Sequence, residues 1–126
     1  MTDLIIQATQ STPAIKADWE GGVLAMEGDS YPENTFELFG PVIAWVEKFL
    51  EVSDRGLTLE LRLIYLNTSS VKVMMDIFDL LEEAAAKGRG IAVNWYYDHR
   101  NERVADLAGE FKEDCSFPFA ILPFGD

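Results

Sequence analysis

The chain has 126 residues, a length that suits one domain (residues 1–126) able to bury a genuine core. Its 22 acidic against 10 basic side chains give a formal charge of −12, which argues against binding nucleic acid or an anionic membrane surface, since both depend on Lys and Arg. An apolar fraction of 48% with 9 Gly and 5 Pro belongs to a packed globule, not a disordered tail.

In chain order, Leu4–Ala8 reads as a short strand or edge segment, and Thr9–Pro13 as a polar loop in which Pro13 keeps Thr12 out of helical geometry. Ala14–Glu27, folded about Glu20-Gly21-Gly22, has the pattern of a β-hairpin. Asp29–Asn34 is a loop before a helix whose predicted stripe is Phe36, Phe39, Ile43, Val46 and Leu50, widened by Trp45 and Phe49. Gly40-Pro41 predicts a kink or two joined pieces there.

The stretch from Leu57 to Lys87 organises the rest. Leu57, Leu59, Leu61, Leu63 and Tyr65 alternate with Thr58, Glu60, Arg62, Ile64 and Leu66, a strand polar on one face early and apolar on both late. Such a strand is expected at the centre of a sheet covered on both faces. Asn67-Thr68-Ser69-Ser70 then breaks the run, and Val71, Met74, Met75, Phe78 and Leu81 recur at helical spacing up to Gly88. Ile91–Tyr97 is a further strand, completing a parallel βαβ unit with the strand from Leu57. A third helix turns Val104, Leu107, Ala108 and Phe111 inward. Pro118 and Pro123 limit the apolar tail to an edge strand or extended cover. The fold class is α/β: a mixed sheet, an N-terminal hairpin plus the βαβ unit, with about three helices against it.

Catalytic signals are few. His99 and Cys115 are the only residues of their types, so a zinc site would need carboxylates for most ligands, and a Cys-His nucleophilic pair has no local support. A lone cysteine suits a reducing cytoplasm. The N-terminus lacks the basic region and long apolar run of a signal peptide, and no uncharged apolar stretch could span a bilayer. There is no glycine-rich phosphate cradle. Asp76, Asp79, Glu82 and Glu83 read as a solvated helix face, and Met74-Met75 as core. The polar turn has two readings. One hydroxyl caps the helix by accepting a backbone N–H bond, or a hydroxyl at the positive end of the helix accepts a phosphate from a kinase.

A strand ending in a phosphorylatable Ser or Thr just before a helix resembles the STAS domains of anti-anti-sigma factors, which switch partners with phosphorylation. Those domains commonly carry Asp-Ser where this chain has Asn67-Thr68. A closer resemblance is to the SiaC family of bacterial biofilm regulators. It rests on Gln10–Ile15, Gly28–Asn34, Tyr65–Ser70, Met75–Glu82 and Asp114–Phe119, and covers essentially the whole chain. The resemblance implies a STAS-like, non-catalytic partner-switching protein without a cofactor of its own. Thr68 is then the phosphoacceptor of a SiaB-like kinase, which uses ATP and magnesium, and the substrate of a SiaA-like PP2C phosphatase. The unphosphorylated form is expected to bind and activate a SiaD-like diguanylate cyclase, raising cyclic di-GMP and promoting aggregation and biofilm. Asn67, Ser69, Ser70 and Lys72 form the expected partner face, with Ser11, Thr12, Pro13, Asp29, Ser30 and Tyr31 nearby. The alternatives are an anti-anti-sigma-type regulator of another partner and a constitutive adaptor that is never phosphorylated.

Overall fold

Nine elements make up the structure, a computed structural model that describes residues 2–125. They are β1 (Leu4–Ile6), β2 (Ala14–Asp18), β3 (Val23–Ser30), α1 (Thr35–Val52), β4 (Leu57–Leu66), α2 (Thr68–Ala86), β5 (Ile91–Asp98), α3 (Glu102–Glu113) and β6 (Phe119–Phe124). The strands form one mixed sheet in chain order, β1 to β6. β1, β2 and β3 pair antiparallel, and β3 to β6 pair parallel. The hairpin, the parallel βαβ unit and the proline-bearing edge strand β6 are as the sequence predicts. Asp29 and Ser30, read as loop, are instead the last residues of β3.

The three crossovers α1, α2 and α3 each step one strand in the same direction across the sheet. Connections of one hand that advance in one direction place all their helices on the same face. Side-chain burial follows: Leu57, Leu59, Leu61 and Leu63 of β4 are buried with Leu24, Met26, Val93 and Trp95 of its neighbours. Thr58, Glu60 and Arg62, on the opposite face, are not. The sheet is therefore covered on one face, contrary to the expectation of two. The late apolar residues of β4 have a different cause. Gly28 pairs with Leu63 and Ser30 with Leu66, so two steps along β3 match three along β4. The extra residue is a β-bulge, and it leaves Ile64 and Tyr65 55% and 54% exposed while Leu66 returns to the core. Gly28 sits at φ +120°, a conformation that side chains with a β-carbon rarely adopt.

α1 is a single helix with Pro41 inside it, not two pieces. Its buried residues are Phe39, Val42, Trp45, Val46 and Phe49. That stripe is rotated roughly a quarter turn from the predicted line through Phe36, Ile43 and Leu50. Trp45 and Phe49, expected only to widen the stripe, belong to it and stack at 5.3 Å. Ile43 and Leu50 pack at the margin of the core, and Phe36 is 82% exposed. In α2, Met74 is core as expected, but Met75 is 48% exposed. In α3, Val104, Ala108 and Phe111 are buried and Leu107 is half-buried.

Leu61 lies in the middle of the central strand with no exposed surface. Leu61→Ala should cost about 2–5 kcal/mol through lost burial and the cavity left behind. Urea denaturation measures this; a loss under about 1 kcal/mol would mean that the core collapses around the gap.

Candidate functional site

The polar turn between β4 and α2 sits at the carboxyl ends of the parallel strands. Asn67 leaves the strand in extended geometry (φ −72°, ψ 171°), and its side-chain carbonyl accepts the Ser70 N–H at 2.9 Å. Its backbone carbonyl accepts the Val71 N–H, and its own N–H donates to the Ser30 carbonyl. The cap is thus the Asn67 amide and not one of the three hydroxyls, a correction to the sequence reading. This geometry divides the hydroxyls into three environments. Ser70 is completely buried, its Oγ 2.8 Å from the Oγ of Ser30, also completely buried. Ser69 is exposed, but its hydroxyl donates to Asn67 Oδ1 at 3.2 Å and lies 2.5 Å from Thr35 Oγ1. With the Ser69 proton so committed, Thr35 is the donor in the second bond. Thr68, the first residue of α2, is exposed, and among the described residues its hydroxyl has no hydrogen-bond partner.

The first turn of α2 holds no acidic side chain, so the positive end of its dipole is not neutralised from within. Lys72 is exposed one turn further along. The loop before β2 closes against the same edge. Tyr31 donates its N–H to the Ser11 carbonyl and its hydroxyl to the Gln10 carbonyl, each at 2.8 Å. Its ring meets that of Tyr65 edge-on at 6.1 Å. Thr12 is held by a 2.6 Å hydrogen bond to the Thr9 hydroxyl. Pro13 is buried, its Cα 3.6 Å from where a β-carbon on Gly28 would stand, and Asp29 is half-buried beside the bulge. Of the residues singled out in the sequence, Thr68, Ser69, Lys72 and Tyr31 therefore present themselves to solvent. Ser30, Ser70 and Pro13 shape the site from beneath. Sequence reasoning missed Thr35 and Tyr65, which the structure joins to Ser69 and Tyr31. Asn34-Thr35 ahead of a helix was the available signal for Thr35, since Asn34 caps α1 by accepting the Glu37 N–H at 3.0 Å.

Cys115 and His99 lie beyond opposite ends of α3, a helix about 18 Å long at its 12 residues. Burial, with the carboxylates of Glu82, Asp114 and Asp79 adding to it, pushes the Cys115 thiol up to about 11. A thiol so placed is a poor nucleophile at neutral pH. No cluster of three or more potential metal ligands occurs among the described residues. Asp76, Asp79 and Glu83 are exposed as expected, but Glu82 has a structural task. It accepts the Ser116 N–H at 2.8 Å and the Ser116 hydroxyl at 2.6 Å, bonds that hold its carboxyl below the usual range.

Two measurements test this geometry. Asn67→Ala should cost about 0.5–2 kcal/mol, whereas Thr68→Ala should stay within about 0.5 kcal/mol of the parent; the opposite order in urea denaturation would return the cap to Thr68. Alkylation of Cys115 by iodoacetamide at pH 8 should run far slower than that of a free thiol and accelerate as pH rises towards 11. Equal rates would place the thiolate in an exposed setting.

Comparisons with known proteins place the chain in a family and support its fold. A family model described as SiaC family regulatory phosphoprotein matches residues 6–124. An uncharacterised protein of Pseudomonas aeruginosa is 67% identical over 121 residues, 96% of each chain. The crystal structure of apo-SiaC from P. aeruginosa is 65% identical, with a TM-score of 0.94 over 97% of this chain and 99% of that one. A crystal structure of the diguanylate cyclase SiaD in complex with its activator SiaC, also from P. aeruginosa, contains a chain 66% identical to this one. It has a TM-score of 0.95 and covers 97% of this chain and 100% of that one. The chain belongs to the SiaC family, whose members are regulatory phosphoproteins rather than enzymes.

Proposed function

We propose that this protein is a partner switch whose state is set by phosphate on Thr68. One observation carries the reading: of three consecutive hydroxyls at the α2 N-terminus, only that of Thr68 is both exposed and, among the described residues, free of a hydrogen bond. Transfer to Ser70 would require opening the core, and transfer to Ser69 would cost two existing bonds. A phosphate at Thr68 gains the uncompensated helix end and adds about −1.5 to −2 charges where there were none. A SiaB-like kinase, holding ATP and magnesium, adds it, and a SiaA-like PP2C phosphatase removes it.

The unphosphorylated form binds and activates a SiaD-like diguanylate cyclase, raising cyclic di-GMP and with it aggregation and biofilm formation. The SiaD–SiaC complex of the P. aeruginosa relative supports this choice of partner. A cyclase surface that closes on the neutral hydroxyl must clash with the phosphate or bury it unpaired, and burying an unpaired charge is costly. The protein works in the cytoplasm, where kinase and cyclase meet it, and needs no cofactor, nucleic acid or membrane. Among the described residues no helix is long and apolar enough to cross a membrane.

Thr68→Ala should abolish phosphate incorporation by the cognate kinase, read by intact mass, yet still bind the cyclase. Equal phosphorylation of the Thr68→Ala protein would move the site elsewhere. In a binding titration the phosphorylated protein should be the weaker cyclase ligand, and Thr68→Asp should fall between the two forms. Equal affinities would leave a constitutive adaptor.

A further inference from the structure

Phe36 is the most exposed large apolar side chain among the described residues, at 82%. The core does not use it, and nothing in α1 gains from it, since that helix is anchored through Phe39, Val42, Trp45, Val46 and Phe49 and capped by Asn34. The ring lies along Gly40, with its Cε1 3.9 Å from where a β-carbon would stand, so the helix surface beside it is flat. Its place in the fold is specific. Thr35, the preceding residue, is bonded to Ser69, which brings the first turn of α1 beside the first turn of α2 and Thr68. Tyr31 and Tyr65, the latter extruded by the β4 bulge, stand on the same strand edge with their rings in contact. Two partly exposed rings, Tyr31 and Tyr65, are thus in contact at the end of the strands that leads into α2, and a third, Phe36, follows the Thr35 that is tied to the first turn of α2. Acidic side chains are their neighbours in sequence: Glu33 and Glu37, both exposed, flank Phe36, and the half-buried Asp29 precedes Tyr31 by two residues. Lys72 is the nearby cation on α2.

From this we infer that Phe36, with Tyr31 and Tyr65, is the anchor that holds the cyclase-type partner beside Thr68. The occupant it fits is a partner segment with an apolar centre and a basic rim. Buried aromatic side chains ringed by polar residues are where binding energy concentrates in protein interfaces. The acidic surround selects basic groups on the partner and speeds encounter. The inference rests on the partner-switch reading and adds to it a division of labour: the aromatic rings supply affinity, and Thr68 supplies the veto.

The test is a titration of the unphosphorylated protein against purified SiaD of P. aeruginosa, with Phe36→Ala compared to Ile5→Ala. Ile5 is 68% exposed on the far edge strand β1 and serves as the control for loss of exposed apolar surface. Phe36→Ala should weaken binding at least about tenfold and Ile5→Ala by less than about twofold, with unchanged thermal midpoints and unchanged phosphorylation of Thr68. Binding of Phe36→Ala within about twofold of the parent, or equal weakening by both substitutions, would overturn the anchor. Association should slow as salt rises from about 50 to about 500 mM; a rate indifferent to salt would overturn the basic rim. Sedimentation of the protein alone covers a second copy as occupant: self-association lost on Phe36→Ala would overturn the cyclase as the ligand of this patch. Phosphorylated parent protein in the same titration separates the two ideas. If both forms of the parent bind alike the switch fails, whereas a difference between them with Phe36→Ala at parental affinity removes only the anchor.

Discussion

The hydrogen bond between Ser30 and Ser70 is the constraint on which the site depends. These are the two fully buried polar residues among the described ones, in a core otherwise built from aliphatic and aromatic side chains. Each hydroxyl satisfies the other at 2.8 Å, and removing either leaves its partner buried without a bond, a penalty of about 1–3 kcal/mol. Two apolar residues of the same size would pack there without that risk, so the pair is better understood through what it positions. It fixes the first turn of α2 against the last residue of β3. The Asn67 N–H to Ser30 carbonyl bond holds the same junction from the backbone side. With Ser70 pinned inward, a rotation of about 200° back along the helix carries Thr68 to the outer surface. The orientation of the free hydroxyl follows from a residue two places away that never meets solvent.

The bulge in β4 is the second determinant, and it acts at the same junction. Without the extra residue opposite Gly28–Ser30, the strict alternation of β4 would continue through Tyr65, carrying that ring to the helix-covered face. With it, Leu66 seals the core and Ile64 and Tyr65 both face outward. Extrusion puts Tyr65 against Tyr31, whose backbone and hydroxyl tether the Gln10–Ser11 segment. One register shift thus gathers parts of the chain more than fifty residues apart in sequence onto the strand edge that carries Thr68.

How much of this the sequence disclosed depended on whether the signal was periodic. The hairpin, the βαβ unit and the edge character of the proline-bearing tail were legible because period, turn residues and proline rules are local. The one-sided sheet was not. Apolar residues at Ile64 and Tyr65 look the same whether they face a second helical layer or are turned out by a bulge. Only the pairing partner on β3 distinguishes the two. The α1 stripe went astray by roughly a quarter turn because Phe36, Ile43 and Leu50 also repeat at helical spacing, and spacing alone cannot choose between overlapping stripes. The polar turn stood out in the sequence, but not how its hydroxyls differ. Ser69 and Ser70 are distinguished from Thr68 by Thr35 and Ser30, partners 34 and 40 residues away.

Charge would give the proposed switch its sense. A chain at −12 has little to attract a phosphate in general, yet at physiological salt fields fade over about 8 Å, so the local balance decides. Locally Thr68 meets the positive end of α2, with no acid in that turn and Lys72 one turn on. Glu37 in the first turn of the adjoining α1 offsets part of this, because Thr35 and Ser69 tie the two helix ends together. Such a site would hold a phosphate in the free protein without enclosing it. A charge added there would stay on the surface, directed at whatever approaches, and its main energetic effect would fall on a complex rather than on the fold. A modification that cost the fold several kcal/mol would switch the protein off by unfolding it; on Thr68, as proposed, it would alter the partner preference of a domain that stays folded.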